Sequence, residues 1–279
     1  MVQEYRMAFS HAEQTQRSEA VGAVAKALRI LCQFDAETPA LSVSEVSRRL
    51  QIPKSTAHNL LRTLEAFDFL HQDPGDRLYR LGPRLFELSR LFSHHTPLMA
   101  AARPHLQRLA EQTRETVKLG VLSEDEVLIL AAIESPYQLH TRGDEGKRAP
   151  LHCTGLGKAI LAALPPGRVR EIAARRGLPR YTPRSITSLD RLEQELALIR
   201  SRGYALDWEE NEAGVVCVAA PVPDPHGGLV ASISVSAPIS RMTRERVSRL
   251  ARQVLAAARA TAATLGQTNG HRTGRKGKL

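Results

Sequence analysis

The stretch from Leu41 to Leu81, LSVSEVSRRLQIPKSTAHNLLRTLEAFDFLHQDPGDRLYRL, constrains the chain more than any other. Val43, Val46 and Leu50 recur at helical spacing behind a serine, which predicts an amphipathic helix over Ser42–Leu50. Gln51-Ile52-Pro53 reads as a turn, because the residue before a proline is pushed out of the α region. A second helix starts near Pro53, a residue suited to a first helical turn. Its inward stripe is Ala57, Leu60, Leu61, Leu64 and Phe67. Its outward face is Lys54, Ser55, Thr56, His58, Asn59, Arg62 and Thr63, cationic and hydrogen-bonding groups with no acid before Glu65.

Phe69–Gln72 and Arg77–Leu81 follow as short strand-like runs, joined by Asp73-Pro74-Gly75-Asp76, which is strong turn chemistry. Arg77 and Arg80 lie on or beside the returning strand, within reach of a phosphate backbone. Helix, turn, helix and basic hairpin in that order describe a winged helix-turn-helix. The plainer alternative is a small helical domain with an exposed polar face. On the first reading, Lys54, Ser55, Thr56, His58, Asn59 and Arg62 face the major groove of double-stranded DNA, with Arg77 and Arg80 on the wing.

A length of 279 residues suits about two domains, and 42 % hydrophobic content is enough for real cores. A formal charge of +10 favours a polyanionic partner. No apolar run is long enough to span a bilayer and no signal segment is recognisable, so no membrane role is expected. Cys32, Cys153 and Cys217 are too few and too scattered for a disulfide framework or a zinc site, and a reducing cytoplasm is the simplest compartment. Neither a cofactor motif nor a metal-ligand spacing is evident. His94-His95 point apart on a helix and are expected in solvent.

In chain order, residues 1–18 read as a disordered polar segment and 19–82 as the winged helix-turn-helix domain. Within that domain, Val21, Val24, Ala25, Leu28, Leu31 and Cys32 form the stripe of a first helix, closed by Phe34, with Cys32 a small core residue. Residues 83–97 read as a linker helix, 98–266 as a second domain and 267–279 as a basic disordered tail. The second domain alternates helices (Leu98–Thr113, broken or kinked at Pro104; Gly155–Ala163; Arg168–Arg176; Leu189–Arg202; Thr243–Leu265) with strands (Thr116–Leu122, Glu126–Ile133, Gly203–Asp207, Val215–Val222, Leu229–Ala237). That order describes an α+β domain on a mostly antiparallel sheet.

Several of its features converge on a small-molecule site. Gly155-Leu156-Gly157-Lys158 opens a helix, where backbone N–H groups and the helix dipole attract an anion, although Gly157 serves close helix packing equally well. It is not a phosphate loop: His152 and Ala159 stand where that motif needs glycine and a hydroxyl. Ser232, Ser234 and Ser236 share one face of a strand, which either lines a polar cavity or shows its hydroxyls to water. Asp207 ends a strand, where it can accept a hydroxyl or fix a loop.

With these segments in view, the chain resembles the IclR family of bacterial transcriptional regulators. The resemblance runs from about Glu19 to about Leu265 and rests on three segments: Lys26–Leu31 with Pro53–Leu64, then Arg148–Ala162, then Gly203–Val222 with Ala231–Ser236. It implies a winged helix-turn-helix, a linker helix and a C-terminal effector domain with a GAF-like fold. It also implies dimers through the DNA-binding domains, often tetramers, on palindromic operators, with small organic or aromatic acids as effectors. Carried over position by position, the effector site is Gly155 and Leu156 as backbone donors with Asp207, Cys217, Ser234 and Ser236 as side-chain contacts. Cys217 is thereby assigned to binding. Asn59 stands where many relatives have arginine, so the family's base preference does not carry over at that position. Two rival readings are a hydrolase-like enzyme built on Cys217, Asp207 and His152, and a DNA binder that needs no ligand.

Overall fold

A computed structural model describes residues 21–35, 37–223 and 231–273, without the side chains of 93–95 and 268–273. The predicted N-terminal segment, most of the turn after Val222, Leu229-Val230 and residues 274–279 lie outside the described residues, as do the His94 and His95 side chains. The chain divides into two compact units, Met1–Phe92 and Ser93–Leu279.

In the first unit, helices α1 (Gly22–Leu31), α2 (Val43–Leu50) and α3 (Lys54–Ala66) precede a hairpin of β1 (Leu70–Gln72) and β2 (Tyr79–Leu81). The local chemistry accounts for each boundary. Ser42 and Glu45 form a reciprocal capping box at the start of α2: Glu45 N–H donates to Ser42 Oγ at 3.2 Å and Ser42 N–H to Glu45 Oε2 at 2.8 Å. The helix stops at Gln51, held left-handed at φ 54°. At the end of α3, Asp68 turns left-handed, its N–H reaching Glu65 O and the Phe69 N–H reaching Leu64 O, both at 2.9 Å. That Schellman ending takes Phe67 out of the expected inward stripe. Phe67 is exposed, and Phe69 packs on the core instead.

The core gathers Ile30, Leu41, Val46, Leu50, Ala57, Leu61, Leu64, Leu70 and Tyr79. Leu41 pairs with Tyr79 through two backbone hydrogen bonds (3.0 and 2.8 Å), adding a stub of third strand to the hairpin. The α1 expectation is corrected. Ile30 is its buried anchor, whereas Val21, Val24 and Leu28 are 69, 56 and 58 % exposed and Cys32 is exposed. The helix has two apolar faces, and the one without Ile30 is left uncovered. Helix α4 (Pro83–His95) likewise exposes Phe86, Leu88, Leu91 and Phe92.

The second unit is a six-stranded, wholly antiparallel sheet in the order β5-β4-β3-β8-β7-β6, formed by β3 (Thr116–Ser123), β4 (Glu126–Ile133), β5 (Arg148–Ala149), β6 (Ala205–Trp208), β7 (Val215–Val222) and β8 (Ala231–Pro238). Glu124 and Asp125, both at positive φ (51° and 61°), make the tight β3–β4 connection. One face carries Val117, Leu119, Val216, Val218, Ile233 and Val235 against helices α5 (Pro97–Thr113) and α9 (Arg244–Thr273). The other meets α6 (Gly155–Ala163), α7 (Pro166–Arg176) and α8 (Leu189–Arg202) through Leu156, Ile160, Ile172, Leu192 and Leu196. Pro104 does not break α5, because it sits exposed on the outer face of a helix whose other side is buried. Nor does α9 end at Leu265: it runs on to Thr273, into the expected tail. Buried Glu115 ties the C-terminal stretch down, accepting from Arg241 (2.7 and 2.6 Å) and from Arg246 (2.7 Å).

Candidate functional site

On the first unit, α3 buries Ala57, Leu61 and Leu64 and thereby turns Lys54, Ser55, His58, Asn59, Arg62 and Thr63 to solvent, with Thr56 half-buried at the edge. No acid interrupts that face. The two wing arginines differ. Arg77 occupies a left-handed position in the turn (φ 58°) and is exposed. The Arg80 guanidinium is drawn back into the hairpin by Asp76 (2.6 Å) and Asp73 (3.3 Å), a pairing that also lowers the Asp76 carboxyl below its ordinary range.

In the second unit, strand register assembles the other candidates. Thr116, Ser236, Cys217 and Asp207 are successive cross-strand neighbours on β3, β8, β7 and β6. Lys118, Ser234, Ala219 and Ala205 form the next row. Both rows lie on the face that meets α6. That helix begins above them, with Thr154 as N-cap accepting the Gly157 N–H at 3.0 Å. Among the described residues the Gly155 and Leu156 amides and the Ser234 hydroxyl have no hydrogen-bond partner, although Ser234 is 1 % exposed. Ser232 is different: its hydroxyl donates to Leu156 O at 3.0 Å and fastens β8 to α6. Gly157 is a packing residue, since a Cβ there would lie 2.4 Å from the Leu151 backbone.

Asp207 is buried and accepts the Glu210 N–H at 2.8 Å, which fixes the turn after β6. Burial raises its carboxyl to about 7, against partial opposition from that hydrogen bond. Burial, with the Asp207 charge adding to it, also pushes the Cys217 thiol well above its ordinary value. An open groove of about 450 Å³, lined by Arg184, Leu206, Trp208, Arg244, Val247 and Ser248, involves none of these candidates. Among the described residues no His, Cys, Asp or Glu cluster is placed to hold a metal, and no helix is long and apolar enough to cross a membrane.

Residues 91–263 match the model described as bacterial transcriptional regulator IclR C-terminal, and residues 23–74 match the IclR helix-turn-helix domain. The chain belongs to the IclR family of bacterial transcriptional regulators. The HTH-type transcriptional regulator BhcR of Paracoccus denitrificans is 37 % identical over 87 % of this chain and 86 % of its own. KdgR of Escherichia coli is 32 % identical over 92 and 97 %. Among solved structures, an IclR homolog from Microbacterium hydrocarbonoxydans complexed with 4-hydroxybenzoate superposes with a TM-score of 0.77 at 27 % identity, covering 88 % of this chain and 99 % of that one. Thermotoga maritima IclR does so with a TM-score of 0.71 at 30 % identity, over 87 and 98 %.

An IclR-family chain is a regulator and not an enzyme. His152 hydrogen-bonds Pro179 O at 2.9 Å, and burial lowers its basicity. Two residues that matter in this regulator escaped the sequence reading. Lys158, at the start of α6, is held by groups of the protein itself. It is fully buried, with Nζ donating to Leu206 O at 2.7 Å and to Glu210 and lying 3.8 Å from Glu195. Lys118 is the second, and only the β3–β8 register could have placed it beside Ser234.

The raised Asp207 value has a measurable consequence. An unfolded aspartate titrates near about 3.9. Between there and about 7 the native regulator holds a proton that the unfolded chain lacks. That share of stability is therefore full at low pH and is lost as pH rises through 7. Glu210, also raised by burial, acts in the same direction. Asp207→Asn should flatten the fall in melting temperature between pH 5 and 8. An unchanged slope would mean that Asp207 is ionised in the folded state.

Proposed function

We propose that this IclR-family regulator is a cytoplasmic one-component switch. It binds a palindromic operator as a dimer or tetramer and changes its DNA occupancy when a small organic or aromatic acid enters the second unit. Its unpartnered donors carry this reading: the Gly155 and Leu156 amides and the buried Ser234 hydroxyl need acceptors, and a carboxylate supplies them. Asp207, Cys217 and Ser236 complete the contact set. The 4-hydroxybenzoate complex of the Microbacterium hydrocarbonoxydans homolog supports an acid as the ligand class. The uncovered apolar faces of α1 and α4 support self-association through the first unit.

Lys54, Ser55, Thr56, His58, Asn59 and Arg62 enter the major groove on α3, while Arg77 meets phosphate and Arg80 shapes the wing before contacting it. The effector acts by binding the DNA-competent and DNA-incompetent arrangements unequally, with α4 as the connection. Arg62→Ala tests the groove assignment. It should weaken operator binding by about 1–3 kcal/mol and relax discrimination at one base pair. Equal weakening on operator and random DNA would place Arg62 on phosphate alone.

A further inference from the structure

We propose that the effector site takes short dicarboxylates, one carboxylate on the Gly155 and Leu156 amides with Ser234, the other on the ammonium of Lys118. The inference rests on the effector site proposed above and names the ligand class it selects.

Lys118 lies on β3 between core residues Val117 and Leu119, so its side chain leaves on the opposite face, the one toward α6. Its cross-strand neighbours are Ser234 on β8 and Ala132 on β4. The side chain is only 14 % exposed, makes no hydrogen bond among the described residues, and has one ion pair, a loose 3.8 Å contact with Asp144. Asp144 is already taken, because Lys147 Nζ donates to it at 2.7 Å. The segment that brings Asp144 there is anchored over the end of β3 and β8. Thr116 Oγ1 donates to Thr141 O at 2.7 Å, Thr141 Oγ1 to Ser236 O at 3.3 Å, and the Gly143 N–H to Glu134 Oε1 at 2.7 Å. Lys118 is thus a largely buried cation with an incomplete partner at the floor of the site.

The site therefore has two electropositive poles. One is the α6 N-terminus, with two amides lacking acceptors. The other is Lys118. Lys158 is no third pole, since Glu210 neutralises it with Glu195 nearby. A monocarboxylate satisfies one pole and leaves a desolvated ammonium poorly paired, which is unfavourable. A dicarboxylate supplies charge-assisted hydrogen bonds at both. Directly opposite residues on paired strands have Cβ atoms roughly 5 Å apart. Ser234 and Lys118 are such a pair, so a short diacid such as malonate or succinate can engage both.

Isothermal titration of the full-length regulator with chain-matched pairs, malonate against propionate and succinate against butyrate, tests this. The wild type should bind each dicarboxylate roughly tenfold or more tightly than its partner, as expected for one added hydrogen bond to a charged group. Lys118→Met should abolish the preference by weakening only the dicarboxylates, Lys118→Arg should keep it, and Ser234→Ala should weaken all acids that bind. If Lys118→Met lowers the ligand-free melting temperature, the Arg variant and the wild-type pairs still decide. A preference that survives in Lys118→Met, no preference in the wild type, or no binding of either dicarboxylate overturns the proposal. If Ser234→Ala still weakens the monocarboxylates, the effector site stands without it. If Ser234→Ala changes nothing for an acid that binds, the effector site falls as well.

Discussion

Lys158→Ala should destabilise the second unit by about 3–5 kcal/mol, the range for removing one partner of a buried ion pair. Lys158 is fully buried, and its loss leaves Glu210 facing Glu195 without the cation between them, while Leu206 O loses its donor. Glu210 already has one carboxylate oxygen with no hydrogen-bond partner, so it has no reserve. Chemical denaturation at constant m-value measures the loss. Replacing both partners, Lys158→Met with Glu210→Leu, should recover most of it, since a well-packed apolar pair often equals a buried ion pair. A single mutant within about 1 kcal/mol of wild type would mean that water reaches Lys158.

Gly157→Ala should be almost as costly, on the order of 3 kcal/mol, the upper end for overpacking a tight contact. Its new Cβ would sit 2.4 Å from both Cα and O of Leu151 and 2.7 Å from its carbonyl carbon, all backbone, so no side chain can yield. Helix α6 must shift, carrying the Gly155 and Leu156 amides with it, so effector affinity should fall together with stability. Gly155→Ala is the control. Its Cβ would come 3.1 Å from Cys217 Cβ and 3.4 Å from Ala219 Cβ, a strain its neighbours can relieve. It should melt close to wild type while narrowing the site. If the two variants melt alike, the close approach of α6 to Leu151 is not what holds the helix in place.

Local chemistry made much of this fold legible. The Ser42 cap, the Gln51-Ile52-Pro53 turn and the Asp-Pro-Gly-Asp hairpin are short-range signals, and the structure keeps all three. Period-two alternation in Ala231–Pro238 placed Ser232, Ser234 and Ser236 on one face; that face lies beneath α6, and the opposite face, with Ile233 and Val235, is buried too. Misreadings arose where a helix offered two apolar faces or ended sooner than its stripe. Spacing alone could not say that Ile30 rather than Val24 and Leu28 would anchor α1. Nor could it see that a left-handed Asp68 would turn Phe67 outward. The roles of Lys118 and Lys158 were hidden for another reason. Their partners, Ser234 and Glu210, lie far along the chain and meet them only through the sheet and α6.

A chain that reads DNA and is switched by an acid should show both properties in one titration. The most direct measurement is fluorescence anisotropy on the DNA just upstream of its own gene, titrated with the full-length regulator at two salt concentrations. Small organic and aromatic acids are then added to the complex. We predict tight, salt-sensitive binding that at least one acid alters. The same acid should have a much weaker effect on Ser234→Ala, whose DNA binding without acid is unchanged. Binding no tighter than to random DNA, or a complex that every acid leaves unmoved, would mean that this chain is not an acid-switched DNA binder.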